Sequence, residues 1–168
     1  VGAGLMPPLL ASGISLLLAL LLAGRFFFWK PQLAMRRLDL GIMYLGYLAI
    51  VLQLLVEFLG QVAPPAWVGA FSMHVFALGV MGLIIPAMLI RIANGHTGRK
   101  VVFEAIDKAV LWIMIAAFVL RVIAPQLHPA AYALWILLAA CGWFSGFAIL
   151  AWRLIPMLAQ ARVDGREH

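Results

Sequence analysis

The chain has 168 residues, 66% of them hydrophobic and 11% charged, with a mean hydropathy of +1.09. Soluble domains carry about 25% charged and about 45–50% apolar residues, so this chain lacks the polar side chains to cover a water-facing surface and is an integral membrane protein. Its net charge of +6 sits in short loops between apolar runs, which excludes a nucleic-acid-reading face, and its single cysteine, Cys141, excludes an internal disulfide or thiolate cluster.

No charge falls between Val1 and Gly24, between Leu40 and Val56, or between Phe58 and Ile90. Uncharged apolar stretches of about 18 residues or more read as bilayer spans. The first predicted helix runs from about Pro8 to Phe28, opened by Pro7-Pro8, because proline is tolerated in a first turn. It closes on Arg25-Phe26-Phe27-Phe28-Trp29-Lys30, aromatic and basic residues of the kind that settle among headgroups. The second helix runs from about Leu38 to Leu59. The third runs from about Ala66 to Ala93, after the Pro64-Pro65 stop.

The fourth predicted helix, about Val101 to Ala124, has an uncharged core of only 12 residues, Ala109 to Leu120. That core is about 18 Å long against a hydrocarbon layer of about 30 Å, so Lys108 and Arg121 must snorkel at its ends. Glu104 and Asp107 suit the positive end of the helix dipole, and Glu104 and Lys108 are an i,i+4 pair. The fifth helix runs from Pro129 to about Leu158. Gly79 and Gly82 in the third helix, and the Gly142-x-x-x-Gly146 of the fifth, mark seams where backbones approach.

These elements predict an all-α fold, a single bundle of five transmembrane helices without internal repeats. Eleven of the 12 Lys and Arg residues lie in the first loop, the third loop and the tail, and only Arg121 lies on the other side. The positive-inside rule then places the N-terminus outside and the C-terminus in the cytoplasm. The chain opens on Val1 without a basic n-region, so it is expected to be processed or to be a piece of a longer polypeptide.

Polar groups at membrane depth are costly and mark functional candidates. His74 lies about two turns into the third predicted helix, and an imidazole in a dry bundle suits an axial haem ligand or a copper ligand. Met81 and Met88 follow at seven-residue steps and would share its face of an α-helix; they are packing residues or thioether donors for Cu(I). His96 lies about 33 Å along the same helix and cannot share a metal with His74. His128, in the outer loop, is closer in height and is either a metal ligand or a solvated histidine. Glu57 and Arg121 fall near the same boundary, as an ion pair, as snorkelling side chains or as contacts for haem propionates. Tyr44 and Tyr47 are expected to hydrogen-bond across helices.

The stretch from Arg91 to Arg99 is the most distinctive. Asn94-Gly95 is expected to end the third helix in a left-handed cap, with Gly98 allowing a second turn. Arg91, His96, Arg99 and Lys100 would then face lipid phosphates, or a folded loop would present His96 and Thr97 to an anion.

Met73-His74, Gly79-Val80-Met81-Gly82, Met88, Arg91 and Gly95-His96-Thr97-Gly98-Arg99 together resemble the NnrS family, multi-spanning bacterial inner-membrane proteins of the nitric oxide response that contain haem and copper. The resemblance continues in Leu120-Arg121-Val122-Ile123-Ala124-Pro125 and Arg162-Val163-Asp164-Gly165-Arg166, and covers roughly the second helix to the C-terminus. It implies haem and copper as cofactors, nitric oxide as ligand and the bacterial inner membrane as location. The candidate cofactor-contacting residues are His74, Arg91, His96, Arg99 and Arg121, and the candidate metal ligands are His74, Met81 and His128. The family usually has more helices than this, which makes the chain a C-terminal portion or a short relative. A second axial ligand would come from His128, from missing helices of the same protein or from another subunit. Two other readings stand beside this one: a transporter portion without redox cofactor, with a break near Gly79, Gly82 and Pro86, and an assembly or sensing module without ligand. No reaction is assigned by the residues alone.

Overall fold

A computed structural model describes residues 7–63, 65–67 and 69–165, and most of these are helical with no strand among them. The five expected spans are present, each long and apolar enough to cross a membrane. They begin with α1 (Pro8–Phe28), followed by the short α2 (Pro31–Ala34) and by α3 (Leu38–Val62). The third span is composite: α4 (Phe71–His74), a π-helix (Val75–Met81) and α5 (Gly82–His96). The fourth joins α6 (Ala105–Val122) to α7 (Ala124–Leu127), and the fifth opens with a 3₁₀ turn (Pro129–Ala131) and continues as α8 (Tyr132–Leu158).

The core lies where α3, α5, α6 and α8 meet, around Ile42, Leu83, Ile90, Leu111, Met114 and Leu150. Large apolar side chains also cover the outside, among them Leu9, Phe28, Phe144 and Trp152. That distribution is stable only in lipid, where an exposed leucine costs nothing and close packing takes over from the hydrophobic effect. Gly79 shows the packing at its tightest. A Cβ there would lie 2.7 Å from the Phe118 ring and 2.8 Å from Ala49 Cβ. Gly146 gives the same room to Met114.

Three boundaries differ from expectation, each for a local reason. The third span starts at Phe71 rather than Ala66, because Gly69 turns the chain at φ +68 and Trp67 stacks on Phe71 at 4.3 Å. It runs on to His96 instead of capping at Asn94-Gly95. Gly98, at φ +72, is the left-handed residue: its N–H donates to Gly95 O and the Arg99 N–H to Asn94 O, the paired bonds of a Schellman motif. The fourth span starts at Ala105 rather than Val101, because Glu104 takes the extended N-cap position. Its N–H donates to Asp107 Oδ2 at 2.9 Å in a capping box. The turn of α7 restores the lost length.

The π-helix bears directly on the predicted histidine–methionine face. Seven residues make about two turns of an α-helix, but i→i+5 bonding places more residues in each turn. The expected alignment of His74 with Met81 is therefore lost. Met81 is 43% exposed on the outer surface, whereas His74 is half-buried against α6.

Candidate functional site

The polar residues gather at the two ends of the bundle. At the end holding the 63–70 and 123–131 connections, α3 contributes Gln53 and Glu57, α4 contributes Ser72 and His74, and α6 contributes Arg121. Gln53 and Glu57 are one helical turn apart, so both reach the same neighbour. Gln53 Nε2 donates to Glu57 Oε1 at 2.9 Å and to Ser72 Oγ at 2.8 Å, and the Ser72 hydroxyl donates to Glu57 Oε1. Gln53 Oε1 is buried without a hydrogen-bond partner.

Two residues beyond Ser72, His74 Nε2 meets Arg121 Nη2. A guanidinium offers only donors, so Nε2 is the acceptor in this contact and the ring proton lies on Nδ1. Arg121 also lies over the Tyr132 ring, 5.9 Å from its centroid. The guanidinium thus bridges the third, fourth and fifth spans at one level. Glu57 and Arg121, expected as a possible pair, take Ser72 and His74 respectively.

The other expected metal ligands, Met81 and His128, are both exposed. His128 is exposed and sets its ring edge-on to Trp135 at 6.5 Å, while its carbonyl accepts from Trp135 Nε1 at 3.1 Å. Among the described residues no group of three or more His, Cys, Asp or Glu side chains is placed to hold a metal ion.

At the other end, the Arg91 to Arg99 stretch is engaged by the chain itself. Arg91 Nη1 lies 3.6 Å from Asp39 Oδ2, and the same carboxylate receives Arg37 through both oxygens, at 3.2 and 2.9 Å. His96 is exposed, and its carbonyl accepts from Arg162 Nη1 at 3.1 Å. Thr97 is fully buried and returns its hydroxyl to Ala93 O at 2.8 Å, while its own carbonyl accepts from the Val163 N–H at 3.1 Å. Arg99 Nη2 donates to Gln160 Oε1 at 3.3 Å. Arg162 closes the joint by a two-point contact with Asp164, at 2.9 and 2.6 Å. Hydrogen bonding to Asp164 pushes the Arg162 guanidinium up from its ordinary value. The loop that suggested anion presentation is a clasp for the tail.

The partners of several residues in these networks differ from what their spacing predicts. Asp39 and Asp107 are buried carboxylates, and Arg153 on α8 serves Glu104 at 2.9 Å and Asp107 at 3.3 Å. Glu104 therefore pairs across helices instead of with Lys108. The Glu104-x-x-Asp107 spacing was the available signal for the cap. Gln53 and Glu57 carried an i,i+4 signal, and Ser72 carried none.

The family model NnrS protein matches residues 1–162. The match takes in α1, which the resemblance of individual motifs left out, and ends before Val163-Asp164-Gly165-Arg166. Comparisons with curated proteins and with solved structures give no significant match. A bundle of membrane-spanning helices matched over nearly its whole length makes this chain a member of the NnrS protein family.

Proposed function

We propose that this chain is the haem-holding part of a multi-pass membrane protein of the nitric oxide response. In this reading His74 would hold the haem iron through its imidazole and Arg121 would meet a propionate. The observation that carries the proposal is the His74–Arg121 contact, set at one end of the bundle where an α-helix gives way to a π-helix. π-segments concentrate at functional positions. The donor set fits haem, which needs one imidazole, a cation for the propionates and apolar walls. Copper would need further donors beside His74, and the expected ones, Met81 and His128, are both exposed, the latter edge-on to Trp135. When bound, the iron would supply a coordination position for nitric oxide, an apolar gas that partitions into lipid.

The protein's own residues then have defined tasks. His74 Nε2 offers one lone pair, which serves either Arg121 or a metal, so ligation requires the guanidinium to turn aside. Tyr132 keeps the guanidinium at the level of His74 through its ring face. The Gln53–Glu57–Ser72 network holds α4 against α3 and fixes the height of His74. The basic end faces the cytoplasm and the His74 end faces outward, in the inner membrane of a bacterium, by the positive-inside rule. Further helices of the same protein, or a second subunit, would complete the coordination.

Purified protein titrated with haem tests this by its Soret absorbance. Wild type and His128→Ala are expected to develop the band, and His74→Ala to lose at least about tenfold in affinity, as for loss of a ligand interaction of about 1.4 kcal/mol or more. Absence of the band in wild type, or its full retention in His74→Ala, refutes the assignment.

A further inference from the structure

At the basic end a cavity of about 490 Å³ opens between the start of α3, the loop before α6 and the first turns of α6. Arg36, Arg37, Asp39, Lys108 and Trp112 line it, with Val101 to Phe103 as apolar neighbours in the lining. Topological cations need no such hollow; a row of solvated side chains would serve. The charge inside is also unbalanced. Asp39 is the cavity's one carboxylate, and Arg37 and Arg91 already neutralise it. Arg36 and Lys108 are exposed and have no carboxylate partner among the described residues. Trp112, 60% exposed, stands one turn beyond Lys108 on the same face of α6. Indole and ammonium side by side at a helix end are the side chains that settle at the headgroup level.

We propose that this cavity binds a phosphate-bearing anion, the headgroup of an acidic phospholipid, with Arg36 and Lys108 on the phosphate and Trp112 along the glycerol and upper acyl region. Arg37 is held by Asp39 and shapes the wall. Basic pockets on the cytoplasmic side of membrane helices take lipid headgroups by the same chemistry.

The full chain purified in neutral detergent and offered phosphatidylglycerol or phosphatidylcholine, with retained lipid counted by native mass spectrometry, tests the site. Wild type should retain phosphatidylglycerol in preference to phosphatidylcholine. Each cation removed should lower that retention about fivefold, and Arg36→Gln with Lys108→Gln about 25-fold. Lys100→Gln removes an exposed cation of the same end that does not line the cavity, and it should change retention little. Inorganic phosphate separates the two sources of the ligand. No competition by millimolar phosphate assigns the site to lipid, whereas competition lost in the double variant supports the same phosphate chemistry with a soluble source. Equal retention of the two lipids, or an equal effect of Lys100→Gln and the double variant, overturns the proposal. Circular dichroism of each variant confirms that the helices are intact.

Discussion

Replacing Gly98 with alanine probes both the cap of the third span and the clasp of the tail. The backbone there sits at φ +72, where an L-residue costs about 1–2 kcal/mol. The new Cβ would lie 2.7 Å from Asp164 Cγ and 2.8 and 3.0 Å from its oxygens. Asp164 cannot yield without disturbing its two-point contact with Arg162. Gly98→Ala should therefore cost more than the backbone strain of about 1–2 kcal/mol, which alone lowers the thermal midpoint in detergent by roughly 2–8 °C for a chain of this size. In an Asp164→Ala background the clash is gone, and the same substitution should cost only the backbone strain of about 1–2 kcal/mol. Gly98→Asn should cost less strain than alanine, because asparagine tolerates the left-handed region. An equal cost of Gly98→Ala in both backgrounds would refute the contact with the tail. A loss below about 0.5 kcal/mol in both would refute the Schellman geometry as well.

Gly79→Val should overpack the seam against Phe118 and Ala49 and cost about 1–3 kcal/mol, recovered in part by Phe118→Leu, as read by thermal unfolding in detergent. Arg153→Met strands the fully buried Asp107 without its cation and should cost about 2–4 kcal/mol, below the full buried-pair penalty because Arg153 and Glu104 keep contact with solvent or headgroups. Adding Asp107→Asn should recover part of that loss, and no recovery would argue against an unpaired charge as its cause. Tyr47→Phe removes the hydroxyl that donates to Leu22 O at 2.9 Å and should loosen α1 from α3 by about 0.5–1.5 kcal/mol, visible as faster proteolysis between them. Met81→Ala should leave haem affinity unchanged, since the side chain lies on the outer surface; a loss comparable to His74→Ala would restore the predicted histidine–methionine face.

Much of the architecture was legible because membrane spans are written locally. The bounds of α1 follow from Pro7-Pro8 and the closing aromatic belt, and those of the fifth span from Pro129 and a long uncharged run. Tyr47 was readable as an interhelical donor for the same reason. The π-helix was not legible: Val75–Met81 contains no residue that demands i→i+5 bonding, and Gly79 within it packs closely against Ala49 of α3 and Phe118 of α6. His74 stood out by its depth, but its partner is 47 positions away and only the docked spans bring them together. The Arg91 to Arg99 stretch misled in a different way. Its composition reads as a ligand loop, while Arg99 and the His96 carbonyl bond residues more than 60 positions later. Contacts of that range depend on topology and leave no mark in the spacing.

The tail clasp also sets an order of assembly. Its donors and acceptors pair across separations of 61 and 66 residues, with the whole of the fourth and fifth spans in between. The cap at Gly98 can form as soon as the third span is in the membrane, but the loop it begins is finished only by residues synthesised after the fifth. A chain cut short before Gln160 would still carry all five spans and leave that loop unlatched, so the joint forms only once the segment after the fifth span has been made.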